Sequence, residues 1–243
     1  MTEPIAKYKS YHLKTVISTD ALSTANAFAN HLADKVAQSD TFHIALSGGS
    51  TPKILFELLA DEFDEEIEWE KVHFWWGDER CVHPTDDDSN YKMTKERLFD
   101  AVTIPEANIH RVLGENDPEG EALRYGKEID DTIADLKFDL IMLGMGGDGH
   151  TASIFPHEIE LLKEASTCAV ATHPESGQKR ITLSGPIIDQ AKEICFLVTG
   201  DGKAEKLDEI FNRKEGYLDY PAAHFNKENV VWFLDESAAR EIN

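Results

Sequence analysis

Cysteine is scarce in this 243-residue chain: three residues, Cys81, Cys168 and Cys195, with no Cys-x-x-Cys pair among them. An odd, scattered set indicates neither a disulfide framework nor a structural zinc site, and it fits a reducing, cytoplasmic setting. Long apolar runs are missing as well. No segment reaches the ~18 apolar residues of a membrane-spanning helix, and Met1 to Lys9 lacks the continuous apolar core of a secretory signal. Basic residues are in short supply: Lys+Arg number 24 against Asp+Glu 46, a formal net charge of -22. That balance speaks against nucleic acid or an anionic membrane as partner. An anionic substrate would need its own cluster of cations, which is feasible because charges beyond roughly 8 Å are screened at physiological salt. Internal repeats, low-complexity tracts and Pro/Gly/Ser linkers are absent too, so one domain over residues 1–243 is expected. No signal for an oligomeric state is present.

What is there is a core-forming composition, 41% hydrophobic, laid out as alternating strand and helix patterns. Strands are expected near Val16 to Ser18, Phe42 to Leu46, Val72 to Trp76, Phe138 to Leu143, Glu193 to Val198 and Val230 to Leu234. Between them lie helical patterns: one capped near Thr19 or Asp20 with Leu22, Ala25, Ala29, Leu32 and Val36 on one face, and one from about Pro52 with Ile54, Leu55, Leu58 and Leu59. Others are expected at Asn90 to Phe99, Pro118 to Leu136, Gly202 to Phe211 and from Glu236 onward. This alternation predicts an α/β fold, Rossmann-like, with a mostly parallel sheet and helices on both faces. Ligands of such sheets bind beyond the carboxyl ends of strands near a switch point, where Ser47 to Thr51, Gly77 to Arg80 and Gly144 to Ser153 all fall.

Those three loops carry the chemistry. Leu140 to Ile154 runs from an apolar strand into Gly144, Gly146, Gly147 and Gly149, glycines that permit positive φ and close approach to a ligand. The loop ends in Asp148 and His150, and an imidazole changes protonation state near neutral pH. Ser47-Gly48-Gly49-Ser50-Thr51-Pro52 joins a strand to a helix, so its N–H groups and hydroxyls form an anion cradle or a simple helix-capping turn. Without Gly-Lys-Ser/Thr it is no P-loop. Trp76-Gly77-Asp78-Glu79-Arg80 sets two carboxylates beside a guanidinium, which suits sugar hydroxyls and an anionic oxygen, or mutual pairing. Lys203 opens a helix after a strand and, like Arg180, is a possible phosphate countercharge. Asp86 to Asn90 reads as helix capping and not as a metal cluster, because consecutive residues cannot all face one ion. His43, His73, His110 and His224 lie in ordinary strand or loop patterns and read as structural or surface residues. Cys81 has no base beside it in sequence.

Together, Ala45-Leu-Ser-Gly-Gly-Ser-Thr-Pro52, Trp76-Gly-Asp-Glu-Arg-Cys81, Ser89-Asn-Tyr91 and Gly144-Met-Gly-Gly-Asp-Gly-His-Thr-Ala-Ser-Ile-Phe-Pro156 closely resemble the 6-phosphogluconolactonase family. Arg180-Ile-Thr-Leu183, Gly200-Asp-Gly-Lys203 and Tyr220-Pro-Ala222 extend the resemblance across nearly the whole chain. The related glucosamine-6-phosphate isomerases and deaminases share the plan but resemble an Asp-Glu-Tyr-like pattern at the strand end where this chain has Asp-Glu-Arg. His157 and Glu158 stand where a Gly often follows the Phe-Pro of the family pattern.

The resemblance implies hydrolysis of 6-phospho-D-glucono-1,5-lactone to 6-phospho-D-gluconate, with no cofactor and no metal. It implies His150 as general base on water, Asp148 as its neighbouring polar group and Arg80 as a cation on the substrate. Gly48, Gly49, Ser50, Thr51, Asp78, Gly146, Gly147, Arg180 and Lys203 are the implied substrate and phosphate contacts. An aminosugar-phosphate isomerase or deaminase is the alternative, and a non-catalytic sugar-phosphate-binding regulator a third.

Overall fold

The computed structural model describes residues 13–242. Nine strands and six α-helices alternate along it: β1 Lys14–Ser18, α1 Ala21–Ala37, β2 Phe42–Leu46, α2 Ser50–Glu62, β3 Val72–Trp76, β4 Asp78–Arg80, α3 Asn90–Thr94, α4 Pro118–Thr132, β5 Leu140–Leu143, β6 Cys168–Thr172, β7 Lys179–Leu183, α5 Gly185–Asp189, β8 Ile194–Val198, α6 Ala204–Phe211 and β9 Val230–Asp235. Six strands form one sheet in the order β1-β9-β8-β5-β2-β3, and every neighbouring pair in it is parallel. The central strands read as continuous apolar runs because both of their faces are covered: Ile-Cys-Phe-Leu-Val in β8 and Leu-Ile-Met-Leu in β5 are buried throughout. Phe196 stacks on Trp232 at 3.8 Å between ring centroids, and Phe28 of α1 meets Phe233 edge-on at 5.3 Å.

Helix starts follow local chemistry. Asp20, not Thr19, caps α1 by accepting from the N–H of Ser23 at 2.7 Å. Ala25, Ala29, Leu32 and Val36 bury as expected, whereas Leu22 is 57% exposed, being in the first turn and off the sheet-facing stripe. α2 begins at Ser50, ahead of the expected Pro52, because Gly49 at φ 114 turns the chain into the helix two residues earlier. The helix expected from Glu236 does not form. The Asp235 carboxylate accepts from Gly200 and Ala238 N–H groups instead, and Glu236 N–H bonds to Ser18 O, which fixes a turn at the end of β9.

A second sheet, β4-β7-β6, is antiparallel and was not expected. It grows from the main sheet at Gly77, where the chain leaves β3, and it holds Asp78, Glu79 and Arg80. At the opposite end of the main sheet His43, His73 and His110 pack around Trp75, whose ring stacks on His110 at 3.8 Å. His110 bonds to Glu128 and His73, and Trp75 donates to His43 Nδ1 at 3.2 Å, so these are structural histidines. Burial, then the facing His73, push His43 down to about 4 from 6.5, against the pull of Asp139. The folded pKa lies below the unfolded one, so the unfolded chain takes up the proton first, and stability falls as pH drops from about 6.5 toward 4. The loss of Tm between pH 7 and pH 5 is therefore expected to be smaller in His43→Asn than in the parent, by thermal denaturation at both pH values.

Candidate active site

The sheet order reverses between β2 and β5: from β2 the chain steps outward to β3, then crosses back to β5, β8 and β9. A crevice opens at such a reversal, beyond the carboxyl ends of the two strands. There the Ser47–Gly49 turn and the Gly144–Ala152 loop meet, with β4 and β7 as a third wall. They enclose a cleft of about 200 Å³ lined by Ser47, Gly48, Gly49, Asp78, Arg80, Gly144, Met145, Gly146, His150, Ala152 and Arg180. A larger groove of about 560 Å³, with an apolar floor of Ile159, Leu162, Pro186 and Phe225 and Glu160, Lys163, Asp189 and His224 also in its lining, lies apart from the three loops.

The loop after β5 is stitched to itself. Gly146 N–H donates to His150 O at 2.9 Å and Gly149 N–H to Gly146 O at 3.1 Å, while Thr151 Oγ1 donates to Gly144 O at 2.8 Å. Of its four glycines only Gly149 takes positive φ, at 83. Gly146 is needed for space: a Cβ there would lie 2.2 Å from His150 Nδ1 and 2.6 Å from Asp148 Oδ1. Those two side chains are hydrogen-bonded, Nδ1 to Oδ1, at 2.6 Å. Burial pushes the Asp148 carboxyl up, but the hydrogen bonds and charge of His150 outweigh it and hold it at about 2. An ionised carboxylate can only accept, so Nδ1 carries the proton of this bond and Nε2 of the neutral ring is left as a base. The His150 side chain is 30% exposed and packs against Phe155 at 4.7 Å.

Across the cleft, Arg80 and Arg180 are register partners on β4 and β7. Two like charges directly opposite on one antiparallel pair repel. Burial, then Arg80, lower the pKa of Arg180. Arg80 donates to Asp88 O at 2.6 Å, and Arg180 stands 3.8 Å from Asp78 Oδ2. The Nε of each arginine is buried and meets no protein acceptor. Asp78 is fixed by Ser153 Oγ, donating at 2.7 Å. Glu79 faces the other way. It is buried and receives N–H bonds from Arg80, Asn90 and Tyr91, so it ties the 89–91 segment behind the cleft; Ser89 caps α3 there, as the capping reading of this stretch expects. Asn90 in turn fills the space beside Gly48, where a Cβ would fall 1.9 Å from its Oδ1.

The remaining expected contacts sit around this cleft and not in its lining. Lys203, at the start of α6, is half-buried; burial lowers its pKa and the Asp148 carboxylate opposes that shift. Gly147 faces open space. Ser50 borders an adjoining hollow with Lys53 and Lys92. The Thr51 hydroxyl is already bonded to Thr199 Oγ1 at 2.7 Å, so it braces the end of β8. Sequence reasoning gave Ser153 no role and read Asn90 only as part of a helix cap; both lie within the matched motifs, and only the fold gives them their partners at Asp78. Burial pushes the Cys81 thiol up to about 11, unsuited to a nucleophile.

Among the described residues, His31, Glu193 and Cys195 bring three possible metal-ligand atoms within 4.8 Å of one another. They lie at the opposite end of β8 from the cleft. Glu193 already pairs with His31 at 2.7 Å and Lys35 at 3.1 Å, and burial raises the Cys195 thiol pKa, so an ammonium occupies the place a cation would take. No helix among the described residues is long and apolar enough to cross a membrane.

Residues 18–232 match the model of the family described as glucosamine-6-phosphate isomerases/6-phosphogluconolactonase. The 6-phosphogluconolactonase of Aggregatibacter actinomycetemcomitans is 48% identical over 223 residues, which cover 87% of this chain and 96% of that protein. The solved structure of the devB protein superposes with a TM-score of 0.91 at 42% identity, covering 95% of this chain and all of that one (100%). The structure of 6-phosphogluconolactonase from Thermotoga maritima gives 0.80 at 29% identity, covering 92% and 99%. The fold, the converging loops and these likenesses agree: this chain belongs to the glucosamine-6-phosphate isomerase/6-phosphogluconolactonase family.

Proposed function

We propose that the protein hydrolyses 6-phospho-D-glucono-1,5-lactone to 6-phospho-D-gluconate in the cytosol, with His150 as general base. The observation that carries this reading is the Asp148–His150 bond, which opens onto the same cleft as the opposed guanidiniums of Arg80 and Arg180. A lactone is an activated ester, so positioned water, a base and charge stabilisation suffice to open it. His150 Nε2 takes a proton from water as its oxygen bonds to C1. The tetrahedral intermediate then expels the ring oxygen, which receives that proton from the imidazolium, and the acid formed ionises. Asp148 holds the ring in the tautomer this requires and steadies the imidazolium. The N–H groups of Gly146 and Gly149 are engaged within the loop, and Arg80, which lines the cleft, stabilises the developing oxyanion. Arg180, Lys203 and the Gly48–Thr51 turn at the start of α2 receive the phosphate, the turn through its N–H groups.

The test is lactone hydrolysis followed above the spontaneous rate, with ammonia release from glucosamine 6-phosphate measured in parallel. Lactone opening without ammonia supports the proposal; ammonia release without lactone opening replaces it with the deaminase reading. If the cations hold the phosphate, Lys203→Ala and Arg180→Ala each raise KM about 10- to 100-fold, the worth of one charged hydrogen bond, and change kcat less. Unchanged KM in both variants would remove them from the phosphate site.

A further inference from the structure

The loop carrying Asp148 and His150 is held from outside at one corner. Gly149, the residue between them, lies against Tyr220 so closely that a Cβ on the glycine would be 2.6 Å from Tyr220 Cβ and 2.7 Å from ring atoms Cγ and Cδ1. The backbone repeats the contact two residues on, where Ala222 N–H donates to Gly149 O at 3.1 Å. At its other end Tyr220 is gripped by α6: Lys206 Nζ donates to Tyr220 OH at 2.8 Å and pairs with Glu209 at 2.8 Å. Lys206 lies three residues beyond Lys203, on the same side of the helical turn. The circuit runs from Lys203 along the backbone of α6 to Lys206, across its side chain to Tyr220, and onto the Gly149 corner between Asp148 and His150.

The tyrosine ring and its hydroxyl do different things in this circuit. The ring bears on the glycine corner, and a phenylalanine would bear on it equally well. The hydroxyl supplies the hydrogen bond to the helix that follows Lys203, and Lys206 Nζ also stands 4.6 Å from the ring centroid. Hydrophobic packing alone requires only the ring, and the partly exposed hydroxyl would otherwise be hydrogen-bonded by water.

Resting on the reading of His150 as base and Lys203 as phosphate cation, we propose that Tyr220 is a positioning residue that sets the base and the cation at a fixed spacing, its ring seating the Gly149 corner and its hydroxyl tethering α6. The two functions separate kinetically. Tyr220→Phe keeps the ring and its contact with Lys206 but loses the hydroxyl's hydrogen bond, so kcat stays within about 3-fold while KM rises, because only the cation is loosened. Lys206→Met cuts the tether from the other side and gives the same pattern. Tyr220→Ala frees the corner as well and lowers kcat about 10- to 100-fold, as a displaced base does.

The experiment measures kcat, KM and Tm for the three variants, with the imidazole Nδ1 proton of His150 followed by NMR. That proton, shifted downfield by its short bond to a carboxylate and identified by its loss in His150→Gln, is expected to persist in Tyr220→Phe and Lys206→Met and to disappear in Tyr220→Ala. A Tyr220→Ala protein that keeps both kcat and the proton overturns the proposal. So does a Tyr220→Phe and Lys206→Met pair with unaltered KM, an outcome that stands even where the alanine variant fails to fold. A parent protein without lactone hydrolysis would instead sink the functional reading, and the NMR signal would still decide whether Tyr220 seats the loop.

Discussion

His150→Asn is expected to lower kcat for 6-phospho-D-glucono-1,5-lactone about 10²- to 10⁴-fold, the usual worth of a positioned general base. KM changes little, because the imidazole acts on the water and the substrate is held by the cations opposite. The fold survives, since His150 is a partly exposed loop residue whose backbone bonds, to Gly146 through its carbonyl and to Asp148 through its N–H, do not need the ring. Asparagine keeps a polar group beside Asp148 but offers no basic nitrogen. Because the lactone also opens in water unaided, the residual rate must be taken above the buffer background. Parental turnover in a folded His150→Asn protein would sink the assignment.

Gly146→Ala is expected to come close to that loss without touching either reacting side chain. The backbone there does not have positive φ, so alanine is conformationally acceptable, and the whole difficulty is its methyl group. It would stand 2.2 Å from His150 Nδ1, 2.3 Å from Cε1 and 2.6 Å from Asp148 Oδ1, against the contact distance of roughly 3.5 to 4.0 Å that carbon prefers. The loop is clamped by its own hydrogen bonds, so the imidazole and the carboxylate are the parts that yield. A reacting group moved by about 1 Å can cost about 10²-fold, and kcat/KM is expected to fall by that order while Tm changes little. Kinetics with thermal denaturation check this. If Gly146→Ala keeps both parental activity and parental Tm, the pair is more mobile than the 2.6 Å bond implies.

Much of this was legible in the chain because periodicity and glycine placement are local signals. Phe42 to Leu46 and Val72 to Trp76 were read at the residues where β2 and β3 stand, and the loops after β2 and β5 fell at the crevice because parallel sheets put ligands beyond their carboxyl ends. The small antiparallel sheet was missed although its pattern is present: Cys168–Thr172 and Lys179–Leu183 flank a turn containing Pro174 and Gly177, a hairpin signature weakened by short strands. Without it the opposition of Arg80 to Arg180 could not be seen, because cross-strand register is a long-range property. Thr51 illustrates the reverse case. A hydroxyl at the start of a helix reads as an anion ligand from sequence alone, and its bond to Thr199, far away in sequence and adjacent only in the fold, could not be read there. Tyr220 was noticed for its motif, and nothing local foretells that it abuts Gly149.

The sheet order has a bearing on how the molecule comes into being. Among the described residues, β1 ends at Ser18 and its strand partner, β9, begins at Val230, so the first described strand to be made pairs with the last. At synthesis rates of about 5–20 residues per second, β1 and the helix behind it wait roughly 10 to 40 s for that partner. The other edge of the sheet, β2 with β3, can pair early. α1 can pack early on α2, and its contacts with β9 form only once the end of the chain is made. A nascent chain stalled before Val230 would leave the edge of β8 unpaired, the condition under which chaperones are engaged.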